Sequence, residues 1–478
     1  MVVNSIVFLI FFVFVFLFYY FPLKEKTKAQ NLFLLAASYF FYGYADLKML
    51  PLLIISTLVY FYLGIWIKHF NVSKNDKKAS LLMTLGIVYG IVLLLYFKYL
   101  NFFLSSFSDL FESLGLHTNI HTFNIVLPLG ISFFTFRLIS YIIEINRGTI
   151  EPSYNVVTFG TYIAFFPCLL SGPIDRPQEF IPQLEHKRLF NYNLAIEGLK
   201  RILWGAFKKM VIADNIAIYV DTVWNGYSSM NGSSLILALI LYSFQIYADF
   251  SGYSDMAIGI GQLLGFKIRE NFNRPYFARS ASEFWRKWHM SLTSWLIDYI
   301  YIPLGGNRCS KLRHLFNTLV VFIICGFWHG ANWTFVFWGL YNGVLVTINK
   351  GEKKNNIKID KNELNISVFF KISVTFILIT LGWVVFRSEN LLQALSFFKG
   401  MTKNVMSVPF IHPTTLLYSS IGLVILFIKE FKDEFVPVKF KIYHHKSAIV
   451  RYSGYALTIL LIMLIGVMDN GQFIYFKF

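Results

Sequence analysis

The strongest constraint on this chain is a recurring apolar window. Runs of about 17 or more residues with few or no charges return along the sequence, the length at which a helix crosses a hydrocarbon core of roughly 30 Å. A membrane β-barrel would instead alternate in segments of about ten residues. Composition agrees. Of the 478 residues, 56% are hydrophobic and 14% charged, against about 25% charged in a soluble domain. The pattern predicts an all-α polytopic membrane protein with about 11 transmembrane helices plus re-entrant and interfacial helices. A single membrane domain over residues 1–478 is expected, with its core motifs in 124–350.

The net charge of +17 would suit nucleic acid. The lysines and arginines, however, lie mostly in short loops between apolar runs, the positive-inside pattern. No nucleic-acid partner is implied; membrane lipid is. Residues 4–21 form the first span, with Lys24, Lys26 and Lys28 behind it, so the N-terminus is expected outside the cytoplasm. Lys68, Lys74, Lys77 and Lys78 mark a second cytoplasmic loop, and Lys429 to Arg451 a later one. The last span, near 449–468, then delivers 469–478 to the outer side. The three cysteines form no metal-like spacing, and no HExxH or phosphate-binding loop occurs. Neither a metal nor a covalently bound cofactor is expected.

The interior has its own punctuation. Residues 124–145 contain LPLGISFFTF, where Pro128 and Gly130 predict a kinked or re-entrant start. Residues 156–171 lead into the breaker-rich loop Ser171–Pro177, followed by a basic amphipathic region near 187–209. The run 234–266 has the length of one bent span or two short ones. Residues 267–314 interleave Trp285, Trp288 and Trp295 with many basic residues, a pattern of short helices dipping from the cytoplasmic face.

Among ten histidines, His329 stands apart. It sits inside the apolar, aromatic stretch Phe322–Gly343, flanked by Trp328 and Gly330. An ionisable residue at bilayer depth persists where it faces a protein interior or a water-filled path. One reading is a core imidazole hydrogen-bonded to a neighbouring helix. The other is a base, since an imidazole in apolar surroundings stays neutral and accepts a proton from a hydroxyl. His289 follows Trp285 and Trp288 in SEFWRKWHMSLTSWL; it is either a wetted interfacial residue or a second histidine of the same site. Asp249 and Asp255 in YADFSGYSDMAIG need partners in lipid. A structural polar network and a proton relay are both open.

The stretches Arg274–Arg308 and Phe327–Gly343 closely resemble the membrane-bound O-acyltransferase family, in its bacterial alginate O-acetylase-like branch. Peptidoglycan O-acetylation proteins and the D-alanyl transferase of teichoic acids belong to that branch. Leu127–Phe136, Phe166–Pro177, Tyr247–Gly259 and Leu381–Leu395 look like further motifs of it, with Arg137 and Glu144 departing from the usual Gln and Asp. The resemblance implies a ring of tilted helices around a thinned centre crossed by a tunnel. It implies that His329 matches the catalytic histidine and His289 the second motif histidine. Trp328, Asn332, Trp285, Trp288, Asp249 and Asp255 would support the site or line the tunnel. It further implies a cytoplasmic thioester donor, acetyl-CoA, and an envelope-glycan hydroxyl as acceptor outside an inner membrane, reached directly or through a periplasmic acetyltransferase- or esterase-like partner. Phe473–Phe476 resembles an FxYF ending of this branch, in which Tyr475 would carry the acyl group; an aromatic interfacial anchor is the alternative. A transporter of acyl donor or glycan precursor, a scaffold, and D-alanyl transfer are the rival functions. The lack of a sequence repeat weighs against a transporter.

Overall fold

The computed structural model describes residues 1, 3–116, 121–348, 365–436, 443 and 445–468, and among them every regular element is helical. They divide into two compact units.

The first unit comprises Met1–Leu199 with Ala257–Arg269. It contains α1 (Ile6–Tyr20), α2 (Thr27–Asp46), α3 (Leu50–Val72), α4 (Asp76–Ser113), α5 (Ile131–Asn146), α6 (Val156–Ala164), α7 (Phe166–Leu169) and α8 (Pro177–Glu185). Helix α5 is its axis, buried along almost its whole length, Arg137 and Glu144 included. Helices α3 and α4 approach it where they carry glycine. A Cβ on Gly64 would stand 2.7 Å from the Tyr141 ring, and one on Gly90 3.1 Å from Ile139. The far faces of α1 and α4 expose Ile10, Phe14, Leu85 and Val92, which suits lipid.

The sharp start expected at Pro128 and Gly130 is present. Gly130 caps α5 in the left-handed region at φ 69°, and a Cβ there would lie 2.5 Å from the Leu169 carbonyl oxygen. Conformation and space both require glycine. Residues 156–171 do not run as one helix, because Phe165 turns extended between α6 and the four-residue α7. This break frees backbone carbonyls in a buried place, where each needs a donor. The Arg137 guanidinium supplies them, donating to the carbonyls of Tyr162, Ile163, Cys168 and Pro173 at 3.1 to 3.5 Å.

Arg188, within the basic amphipathic region near 187–209, is 5% exposed. It donates to Tyr19 Oη at 2.5 Å, to Asn31 Oδ1 and to the Gln183 carbonyl, and its guanidinium lies over the Phe266 ring. Amphipathic spacing hid it because its partners are remote in sequence.

The second unit, Lys200–Met256 with the described residues from Glu270 onward, begins in α9 (Tyr192–Ala206). A π-helical turn, Phe207–Ala213, leads to α10 (Asp214–Asn225) and α11 (Gly232–Leu263). Two seven-residue helices follow, α12 (Ala281–Lys287) and α13 (Met290–Leu296), in the stretch 267–314 where short helices were expected. Then come α14 (Lys311–His329), α15 (Trp333–Ile348), α16 (Ile366–Arg387), α17 (Leu391–Met401), α18 (Pro413–Phe435) and α19 (Ala448–Ile465). The run 234–266 is one continuous helix of 32 residues, not two. In the most apolar window of α11, 78% of residues are buried, against 11% for α4. Helix α11 is therefore core and α4 is lipid-facing.

Among the described residues, seven helices are long and apolar enough to cross a membrane: α3, α4, α11, α14, α16, α18 and α19. Helices α1 and α15 are shorter apolar elements. The protein is a multi-pass membrane protein.

Arg137→Leu would leave carbonyls buried without donors, at a cost of about 1–3 kcal/mol each. We expect a clear drop in the thermal midpoint of the detergent-solubilised protein, with Arg137→Gln in between. An unchanged midpoint for Arg137→Leu would remove the staple role.

Candidate active site

The site is built around the α14–α15 hairpin. Glycines let these two helices touch backbone to backbone. A Cβ on Gly326 would stand 2.1 Å from the Phe335 carbonyl oxygen, and one on Gly339 2.3 Å from that of Phe322. Helix α14 ends on His329, and Gly330 continues extended against the Phe335 ring. His329 is 4% exposed. Its ring packs nearly perpendicular to Trp338 at 5.1 Å and to Phe386 at 5.2 Å, with Trp328 at 5.0 Å.

His289 arrives from a different element. Helix α12 stops at Lys287, Trp288 is extended, and His289 takes φ 42° and ψ 53° before α13 begins. Left-handed backbone is uncommon for a side chain this large. Here it separates α12 from α13 and turns the ring inward. The wetted interfacial reading is thereby overturned, since His289 is 1% exposed. Its ring meets Phe250 at 4.6 Å and Trp328 at 5.6 Å. Nδ1 lies 3.0 Å from Asn271 Oδ1, and burial pushes the imidazole down to about 3, so the ring is neutral at physiological pH.

The two histidines thus share one neighbour: the Trp328 indole touches both rings. Around it stands an aromatic wall. Trp285 packs on Trp338, Trp338 stacks on Trp383, and Trp383 meets Trp288 at 5.2 Å. The sequence pointed to Trp285, Trp288 and Trp328. It missed Trp338, Trp383 and Phe386 as site residues. The last two lie in the LGWVVFRSEN segment, whose regular apolar run gave no sign that Phe386 packs on His329 or that Trp383 joins the wall.

Asn332 does not face either histidine ring in the contacts it makes. Its Nδ2 donates to the Glu389 carbonyl at 2.6 Å and its Oδ1 accepts the Thr334 N–H at 3.0 Å, which starts α15 and ties it down.

Asp249 and Asp255 belong to a buried ionic network. The π-turn places two consecutive lysines against α11. Lys209 Nζ lies 2.7 Å from Asp249 Oδ1 and 2.8 Å from Asp214 Oδ1. Lys208 Nζ lies 2.6 Å from Asp255 Oδ2, and Arg201 Nε is 2.9 Å from Asp255 Oδ1. Both lysines were hidden in the basic region 187–209. A π-turn shifts side chains off the helical period, so no spacing rule would have found them.

Beside Trp285 lies a cavity of about 510 Å³. It is apolar where Trp285, Phe322 and Cys325 line it, and polar at Arg286, Asn307 and His314. Cys325 precedes His329 by one helical turn. Tyr475 lies outside the described residues.

Comparison with known proteins decides the family. The membrane-bound O-acyltransferase family, as a sequence pattern, matches residues 37–382. The chain belongs to the membrane-bound O-acyltransferase family. It is an O-acyltransferase. It is similar to the alginate O-acetylase of Pseudomonas aeruginosa, at 39% identity over 84% of this chain and 75% of the relative. It is also similar to the peptidoglycan O-acetyltransferase of Helicobacter pylori, at 36% identity over 78% of this chain and 73% of the relative. The teichoic acid D-alanyltransferase of Bacillus subtilis matches at 29% identity over 56% of this chain and 70% of the relative.

Removing one member of a buried ion pair costs about 3–5 kcal/mol. Asp255→Asn is therefore expected to cut the yield of folded protein sharply. Transfer activity per folded molecule is expected to hold. A loss of specific activity at full yield would move Asp255 from scaffold to chemistry.

Proposed function

We propose that this acyltransferase is an O-acetyltransferase of the bacterial envelope. It takes acetyl from cytoplasmic acetyl-CoA and delivers it across the inner membrane to a hydroxyl of an envelope glycan, peptidoglycan or an alginate-like exopolysaccharide. The observation that carries the reading is the pair of buried histidines on one indole, His289 and His329 flanking Trp328. Such a pair offers a proton acceptor on each side of a dry reaction centre. The relatives favour acetyl over D-alanyl, since the acetylase matches cover far more of this chain than the D-alanyltransferase does.

The chemistry balances without a metal or bound cofactor. The acceptor hydroxyl gives its proton to His329, its oxygen bonds to the thioester carbonyl carbon, and the C–S bond breaks. The proton then passes to the departing thiolate. The aromatic wall excludes water, which would otherwise hydrolyse the thioester. The cavity beside Trp285 supports donor access from the cytoplasmic end of α14. Its polar rim includes Arg286 and His314, suited to the phosphates of CoA, and its apolar depth ends near Cys325 and Trp285.

The first acceptor is Tyr475. A phenol with an ordinary pKa of about 10 forms an ester that remains a better donor than an alkyl ester. From Tyr475 the acetyl passes to a periplasmic partner or directly to the glycan. Both termini lie outside the cytoplasm in this reading, and residues 1–478 act as one membrane domain.

His329→Ala should reduce base-labile O-acetyl on the envelope glycans by about 100-fold or more, as removal of a general base typically does. Wild-type acetylation by a well-expressed variant would sink the assignment. Tyr475→Phe should abolish covalent capture of radiolabelled acetyl on the protein and cut transfer equally. Undiminished glycan acetylation would reject the relay and leave direct transfer.

A further inference from the structure

The best-connected side chain beside His289 is one that no family motif singled out. Asn271 sits just before α12, on a segment that pairs with the α12–α13 break: its carbonyl accepts the Met290 N–H at 2.9 Å, and the Asn273 N–H goes to the Lys287 carbonyl. The side chain is 1% exposed. Its Nδ2 donates to Ser254 Oγ at 3.0 Å, and its Oδ1 accepts the Ser291 hydroxyl at 2.9 Å and the Ser291 backbone N–H at 3.4 Å. A backbone N–H only donates, so the amide atom it meets is the oxygen. That same oxygen faces His289 Nδ1 at 3.0 Å.

An amide oxygen only accepts, so Nδ1 carries the proton. A neutral imidazole has one N–H, which leaves a lone pair on Nε2. Nε2 is buried and has no hydrogen-bond partner among the described residues. Resting on the reading that His289 belongs to the acyl-transfer site, we propose that Asn271 is a positioning residue that fixes His289 as its Nδ1–H tautomer and presents Nε2 as a proton acceptor. The left-handed backbone at His289 sets the direction of the ring, and Asn271 sets which nitrogen is bare. Ser291 and Ser254 hold the amide from flipping.

Among the described residues, the groups seen to bond to or stack on the His289 ring are not titratable. The ring contacts Phe250 on α11, Asn271 and Phe272 before α12 and Trp328 on α14, while Ser254 on α11 and Ser291 on α13 bond to the Asn271 amide. The charges along those elements include Glu270 beside Asn271, paired with Arg201; Lys287 two residues before His289, paired with Glu283 and Glu434; and Asp249 and Asp255 on α11, paired with Lys209 and with Lys208 and Arg201; the titratable His329 follows Trp328. A change at Asn271 is therefore read out by His289 with little competition.

The test uses the full chain in lipid nanodiscs with ¹⁵N-labelled histidine. The His289 signals are assigned by their loss in His289→Gln. We expect a protonated Nδ1 and an unprotonated Nε2 in the wild type. In Asn271→Leu the ring should lose that preference, and release of CoA thiol from acetyl-CoA should fall about 10- to 100-fold, as for other orienting partners of histidine, with KM for acetyl-CoA unchanged. Asn271→Asp still accepts from Nδ1–H. It should recover much of the rate and move the acid limb of the pH profile upward, because a carboxylate favours the imidazolium. A wild-type proton on Nε2, or a folded Asn271→Leu at full rate, overturns the proposal. If Asn271→Leu does not fold, the wild-type spectrum and the Asp variant still decide. Full activity in His289→Ala would instead overturn the underlying site assignment, whatever the tautomer.

Discussion

A charge in hydrocarbon has no water to fall back on, and this one cost organises both units. Among the described residues, Arg137, Arg188, Lys208 and Lys209 are buried cations each tied to more than one partner, most of them distant in sequence. Arg137 gathers carbonyls released by the break between α6 and α7. Arg188 joins Tyr19, Asn31 and Gln183. Lys208 and Lys209 hold the two aspartates of α11. In water, such groups would sit at the surface and contribute little. Here they fix irregular backbone at depth, which a membrane protein tolerates only where protein covers it.

The candidate site uses the same economy in reverse. Its two histidines are packed among rings, His289 against Phe250, Phe272 and Trp328, and His329 against Trp328, Trp338 and Phe386. Glycine contacts between α14 and α15 hold His329 at the end of a helix that has little room to move. The left-handed turn at His289 is strain that regular secondary structure would not choose. The rigidity of the pair follows from packing.

Much of this was legible in the residues. His329 announced itself because an ionisable group in an aromatic run is expensive, and Gly130 because Pro and Gly punctuate a helix start. His289 was legible as a candidate but not as a buried one, since amphipathic spacing cannot show a break in the helix. The pairing of Asp249 and Asp255 was half visible: their need for partners could be read, but not the lysines that meet it. Asn271 was invisible. It stands in an ordinary polar segment, and its role depends on α11, α13 and a histidine 18 residues away meeting at one amide.

The aromatic wall has an optical consequence. Of ten tryptophans in the chain, Trp285, Trp288, Trp328, Trp338 and Trp383 all belong to it. A large share of the protein's ultraviolet emission therefore originates in the wall on which the two imidazoles pack. A protonated imidazole takes an electron from excited indole, and a neutral one does so poorly. The centre thus carries its own lamp, dimming as a proton lands on either ring, with no label attached.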